Sequence, residues 1–251
     1  TLIGGLVIGV LKPTNTWDFY TFLVLAAVVL IYTGIKYQGL DWTDKGKWWG
    51  LAGKLIPALG SVLVLALSSL LLYRLFNQNF HPGYSQLGIW TGENTAIKPY
   101  LTHWGLLIFI IVFWFAWETY QWMAVTKVSD IKFLAGYKKQ LNWLLAGVAA
   151  IYLVMLLAKV SVVALALPLC IWALLLILIP DQSDIKRLLF FIVGSGLFLS
   201  LAVELFYLIG DIGRMNFVFK LYLQAWILLT LACGVGVIML WHNQIRWTLR
   251  T

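Results

Sequence analysis

The chain has 251 residues, 62% of them hydrophobic and only 11% charged, with a formal net charge of +8 and a mean hydropathy of +0.89. Soluble domains carry about 45–50% apolar and about 25% charged residues, so a soluble globular fold is excluded. A basic nucleic-acid surface is the weaker reading of the charge, because no Lys/Arg stripe with interleaved aromatics lies outside the apolar runs; the surplus cations read as loop charge facing anionic lipid.

Backbone placed in hydrocarbon must satisfy its own hydrogen bonds, so the long apolar runs predict helices and the chain reads as an all-α polytopic transmembrane bundle. The first run, LIGGLVIGVL after Thr1, is about half the ~20 residues a spanning helix needs. With neither Met nor a charged segment ahead of it, it is expected to be the truncated first span of a longer chain. Seven full spans are expected after it, near 18–36, 54–76, 103–123, 141–158, 161–179, 188–209 and 221–241, with Lys159 and Ser161 dividing the run from Leu141 to Ile179 into a tight hairpin. One transmembrane domain over 1–251 is expected. Cys170 and Cys233 both sit inside apolar runs and read as buried small hydrophobes, not as a disulfide or thiolate site.

If the connectors alternate sides, the 18 Lys and Arg divide two to one. Lys12, Arg74, Lys98, Lys159, Arg214 and Lys220 fall on the poorer side. The bias places that side outside the cytoplasm. The PTNTWD turn at 13–18, the long connector 77–102 and the turn around Arg214 therefore share the extracytoplasmic face in this reading. Connectors longer than about 12–15 residues are usually functional or disordered. The aromatic, Gly and Pro content of 77–102 predicts a packed loop.

Chemistry has few places to sit. Between the last two spans, Glu204, Tyr207, Asp211 and Arg214 fall at i, i+3, i+7 and i+10, within about 80° of one face if the helix continues. A Glu inside an apolar span is costly and needs water or a partner, for which Arg214 or Lys220 is at hand. Gly210 and Gly213 let backbone approach a ligand. Arg214 offers a planar fork suited to phosphate and Lys220 a point charge. An interfacial turn in which Asp211 pairs with Arg214 while Lys220 snorkels, a phosphate or sugar-phosphate site with Asn216 beside it, and an ion pathway are all compatible with these residue types. In the opening turn, Pro13 sets the bend, Asn15 or Thr16 caps the next helix and Asp18 suits its dipole. Alternatively, Asn15 and Asp18 bind sugar hydroxyls while Trp17 stacks on a pyranose ring. His81, Glu93 and His103 match no metal-ligand spacing; His103 reads as a helix start at the interface, and Glu118 as a snorkelling carboxylate. Walker A and G-x-S-x-G motifs are absent.

The run from Glu204 through Asp211, Arg214-Met215-Asn216 and Lys220 to Gln224-Ala225-Trp226 resembles the signature of the YYY family of uncharacterised polytopic membrane proteins, and Thr14-Asn15-Thr16-Trp17-Asp18 resembles that family's other recurring turn. Phe217 departs from the pattern, which has Thr there. The family is similar in architecture to GT-C-type glycosyltransferases, multi-span enzymes that take a sugar from a polyprenyl-phosphate carrier. The resemblance implies such a transferase at the extracytoplasmic face of a prokaryotic plasma membrane, with membrane lipid and a polyprenyl-phosphate sugar donor as partners and no nucleic acid. It implies that Arg214 and Lys220 hold the carrier phosphate, that Asp211 and Glu204 orient Arg214 or meet a divalent metal, and that Asn15, Trp17 and Asp18 line the sugar or acceptor side. The catalytic acidic residue is expected in a loop preceding Thr1, and no cofactor or metal ligand set is assigned. A transporter or flippase of a lipid-linked or small polar substrate, and a non-catalytic membrane scaffold, are the alternatives.

Overall fold

A computed structural model describes residues 1–38, 47–81, 83, 86–126, 143, 146–147, 149–150, 152–154 and 161–248. Two compact units make up the chain, residues 1–83 and 84–251.

The first unit opens with α1 (Leu2–Thr14), which passes through the single extended residue Asn15 into α2 (Thr16–Tyr37). The bend was expected at Pro13, but Pro13 stands inside the last turn of α1. A proline that close to the helix end removes only one intrahelical bond, so the chain stays helical for another residue and breaks at Asn15. Next come α3 (Lys47–Leu71) and the short α4 (Arg74–Asn79). α1 and α2 both pack on α3, around a small core of Ile8, Phe19 and Leu65. Close approach at Gly34 sets the α2–α3 seam: a Cβ there would lie 2.7 Å from both Cα and Cβ of Ala58. Across the α1–α3 seam, the Tyr73 hydroxyl donates to the Leu6 carbonyl at 3.0 Å.

The second unit contains β1 (Leu87–Ile89), α5 (Ile97–Val125), α6 (Ser161–Ile177), α7 (Asp184–Leu205), β2 (Phe206–Leu208) and α8 (Met215–Thr248). α7 is the centre of this unit, packed against both α6 and α8, with α5 touching α6 and α8. The core is aromatic and branched: Trp104, Trp114 and Phe115 of α5 meet Phe190, Val193 and Leu197 of α7 and Ala225 and Leu229 of α8. Phe190 packs edge-on against Phe115 at 5.6 Å and tilted on Trp114 at 5.0 Å. Ser183 caps α7, its hydroxyl oxygen accepting from the Lys186 amide, with Asp184 favourable in the first turn.

Among the described residues, five helices are long and apolar enough to cross a bilayer: Thr16–Tyr37, Ala52–Leu71, Ile97–Val125, Asp184–Leu205 and Met215–His242. Leu2–Thr14 and Val162–Ile177 are shorter apolar helices. The chain is thus an all-α membrane protein, and the described residues do not confirm the expected seven full spans. The expected span 161–179 is 17 residues long as α6, and the expected span 141–158, with the Lys159 turn, lies mostly outside the described residues. Cys233 is buried and Cys170 partly buried, both as free thiols.

The expected snorkelling of Glu118 is corrected. Its side chain is buried and pairs with Lys186 Nζ at 2.7 Å, and Trp114 Nε1 donates to it at 3.3 Å. The reason is placement: Glu118 meets Lys186 in the first turn of α7, a cation from a helix far along the chain.

The α2–α3 seam can be tested by thermal unfolding in detergent. Gly34→Leu is expected to lower stability by about 1–3 kcal/mol through overpacking. Gly60→Leu, where an added Cβ meets nothing within 4 Å, is expected to leave the melting temperature unchanged.

Candidate functional site

α7 ends where three residues with high strand preference, Phe206-Tyr207-Leu208, leave the helix with Phe206 extended at φ −129° and ψ 156°. They pair antiparallel with β1 in the register Leu87 to Leu208, Gly88 to Tyr207 and Ile89 to Phe206. The ladder runs on at both ends, with Trp90 N donating to Leu205 O at 2.8 Å and Ile209 N to Gln86 O at 2.9 Å. The helical face expected to carry Glu204, Tyr207, Asp211 and Arg214 therefore does not exist. The open backbone edge of 87–89 supplies hydrogen bonds that a continued helix would have made internally.

Glu204 and Arg214 nevertheless meet. The Glu204 side chain is fully buried, and the Arg214 Nη1 lies 3.1 Å from its Oε1. Thr95 Oγ1 donates to the same oxygen at 2.7 Å. The other carboxylate oxygen accepts from the Thr95 amide at 2.8 Å and Asn94 Nδ2 at 3.2 Å. Asn94 Nδ2 also reaches the Glu204 carbonyl at 3.0 Å. Arg214 spends the rest of its fork on protein: Nη1 donates to Val203 O at 3.0 Å, and Nη2 to Glu93 O and Thr95 Oγ1, both at 3.1 Å. Its guanidinium lies over the Trp90 ring at 5.3 Å. Nε makes no hydrogen bond among the described residues. Charge-assisted bonds of this number compensate a carboxylate removed from water. Both oxygens of Glu204 are taken by N–H and O–H donors, so the carboxylate does not fit a metal-ligand role.

The turn between β2 and α8 places Gly210 and Gly213 at φ 91° and 52°, a region that side chains with a Cβ avoid. Asp211 was expected to pair with or orient Arg214. Its Oδ1 instead accepts from the Ile212 amide at 2.8 Å and Asn216 Nδ2 at 2.9 Å, which ties the turn to itself. The Arg214 carbonyl accepts the first helical bond of α8, from Val218 N at 2.8 Å.

Below this clasp runs an open groove of about 790 Å³. Trp90, Arg214 and His103 contribute to it, together with the face of α8 that carries Met215, Val218, Phe219, Tyr222, Leu223 and Trp226. From Met215 to Trp226 that face is about 16 Å long at 1.5 Å per residue, roughly half the hydrocarbon thickness. His103 is not a helix start: α5 begins at Ile97, and His103 sits in its second turn, edge-on to Trp104 at 4.6 Å and stacked on Tyr222 at 5.8 Å. The Tyr222 hydroxyl lies close to Trp104 and Thr95, but neither it nor Trp104 Nε1 makes a well-formed hydrogen bond.

Of the residues singled out in the sequence, Glu204 and Arg214 come together, and Asp211 and Asn216 form a second pair in the adjoining turn. Lys220 lies off the groove, its ammonium 5.8 Å above the Phe219 ring. Asn15, Trp17 and Asp18 belong to the first unit. There Asn15 occupies the N-cap position of α2 without a side-chain cap bond, and its Nδ2 donates to Asp18 Oδ2 at 2.9 Å. Trp17 is partly buried. His81 is exposed in the first unit, and Glu93 serves the clasp through its backbone carbonyl. Trp90, Asn94 and Thr95 were missed. Their signal was the polar run Gly92-Glu93-Asn94-Thr95 immediately before a spanning helix, in a connector already long enough to suggest function.

The family described as Uncharacterized membrane protein (DUF2298) matches residues 1–229. The chain belongs to that family. The DUF2298 match takes in both units, including the clasp and the groove, and agrees with the apolar helices in making this an integral membrane protein. No curated protein and no solved structure matches the chain.

The clasp is tested at Glu204. Glu204→Ala leaves the partly buried Arg214 without its counter-ion and Thr95 N without its acceptor. It is expected to cost about 3–5 kcal/mol in thermal or denaturant unfolding. Hydrogen exchange at the Thr95 amide is expected to speed up in the same variant; an unchanged rate would remove the carboxylate from the role of anchor.

Proposed function

We propose that this protein is a GT-C-like glycosyltransferase whose second unit holds a polyprenyl-phosphate-linked sugar at the extracytoplasmic face of a prokaryotic plasma membrane. The observation that carries the reading is the groove: an apolar trough about half a bilayer deep, with a guanidinium at its head. An isoprenoid chain fits the face of Met215, Phe219 and Trp226, and the carrier phosphate comes to rest at the Nε–H edge of Arg214, above Trp90. The sequence resemblance supports the reaction class, and the loop-charge bias supports the side of the membrane.

In that reaction an acceptor hydroxyl oxygen forms a bond to the anomeric carbon with inversion, the bond from that carbon to the carrier phosphate oxygen breaks, and the hydroxyl proton passes to a base. Charge grows on the departing phosphate, and a cation held rigidly beside it lowers the barrier. Rigidity is what the clasp supplies, because four contacts to protein fix the fork before any ligand arrives. Lys220, off the groove, has no part in this reading.

Filling the groove tests the proposal without touching the clasp. Val218→Trp is expected to lower labelling by a photoreactive isoprenyl phosphate about tenfold or more with an unchanged melting temperature. Transfer from a polyprenyl-phosphate sugar in proteoliposomes is expected to fall in parallel. Arg214→Lys, which keeps the charge but loses the fork, is expected to lower the melting temperature and turnover together. Full labelling and transfer in Val218→Trp would end the assignment of the groove.

A further inference from the structure

We infer that His103 is a ligand-binding residue of the groove and donates a hydrogen bond to the phosphate of the isoprenoid placed there, opposite Arg214; the inference rests on the reading of the groove given above. His103 is exposed into the groove. Its ring is fixed by three aromatic neighbours: Trp104, Tyr222 at an interplanar angle of 29°, and Trp226 at 6.5 Å. Among the described residues it makes no hydrogen bond, although an imidazole carries two nitrogens with donor or acceptor capacity. The Tyr222 hydroxyl and Trp104 Nε1 beside it are likewise unspent. Polar capacity left unused among apolar side chains in a membrane span is costly and marks a place where a polar group is received.

The position along the helices fits one phosphate. α5 and α8 start at the same end of the unit, because Thr95, just before α5, touches Arg214, just before α8. His103 is six residues into α5, so it lies about 9 Å beyond the clasp. A phosphate oxygen group with an N–H donor on either side spans about 8 Å between the nitrogens. Arg214 would approach from the clasp and His103 from the membrane side, with the chain running on along Phe219 and Trp226.

The test uses the full chain in nanodiscs with farnesyl phosphate as probe and farnesol and inorganic phosphate as controls. His103→Phe keeps the ring shape and removes both nitrogens; it is expected to weaken farnesyl phosphate about tenfold, the loss of one charge-assisted bond. His103→Gln keeps a donor and is expected to stay within about threefold. Farnesol is expected to bind both variants as it binds the native chain, and inorganic phosphate to displace nothing. In the native chain, farnesyl phosphate is expected to protect His103 from acylation by diethyl pyrocarbonate, followed by mass spectrometry. Native affinity in His103→Phe, or no protection of His103, overturns the inference while leaving the groove assignment standing. Failure of the native chain to bind farnesyl phosphate overturns both, as does displacement by inorganic phosphate alone.

Discussion

A single buried carboxylate organises the end of the second unit where α7 meets β2 and the start of α8. Glu204 sits in the last turn of α7, away from water, and an ion in that position is tolerated only when its oxygens are met by donors. Arg214, Thr95 and Asn94 meet them, and each comes from a segment that would otherwise have no reason to be there. The strand pair brings 90–95 alongside the helix end, and the double-glycine turn brings Arg214 back. The N-terminus of α8 is fixed as a consequence, and with it the groove along its first three turns. Remove the carboxylate and the three segments share no anchor.

The opposite end of α7 repeats the principle. Lys186, in the first turn, meets the buried Glu118 of α5. Eighteen residues separate Lys186 from Glu204 along the helix, about 27 Å, close to the hydrocarbon thickness of a bilayer. α7 is therefore pinned at both of its ends by an ion pair to a neighbouring element, while its middle packs through Phe190, Val193 and Leu197. Aromatic packing alone fixes position poorly along a helix axis, because apolar surfaces slide. Charge pairs at the two ends set the register.

The arrangement divides labour between Arg214 and its surroundings. Most of the guanidinium holds the protein together, and only the Nε–H edge faces elsewhere. A fork so engaged does not reorganise on binding, and that is the condition under which a cation stabilises developing charge. The same engagement makes Arg214 a structural residue, so its removal disturbs the clasp itself. The side chains of Val218 and His103 line the groove and make none of the clasp's hydrogen bonds.

What the sequence by itself determined was the solvent and the helical backbone, with Glu204 legible as a carboxylate in need of a partner. An apolar fraction this high admits only membrane helices, and Glu204 stood out as a carboxylate within a span, with Arg214 or Lys220 in the next turn as a partner. The distance in the chain from Glu204 to Arg214, ten residues, was also enough to suggest a meeting. Tertiary structure decided how they meet. A 3.6-residue period extends a helix wherever nothing competes, and it carried the expected face straight through Phe206. The competitor was the backbone edge of 87–89, more than a hundred residues earlier, which no local pattern reveals. The same non-local pairing delivered Asn94 and Thr95 to the carboxylate and turned Asp211 toward Asn216. Likewise Glu118 was legible as a charge in a span, but its partner on α7 depended on which helices pack side by side. Local periodicity encodes what a segment is, whereas partners far along the chain are chosen by packing.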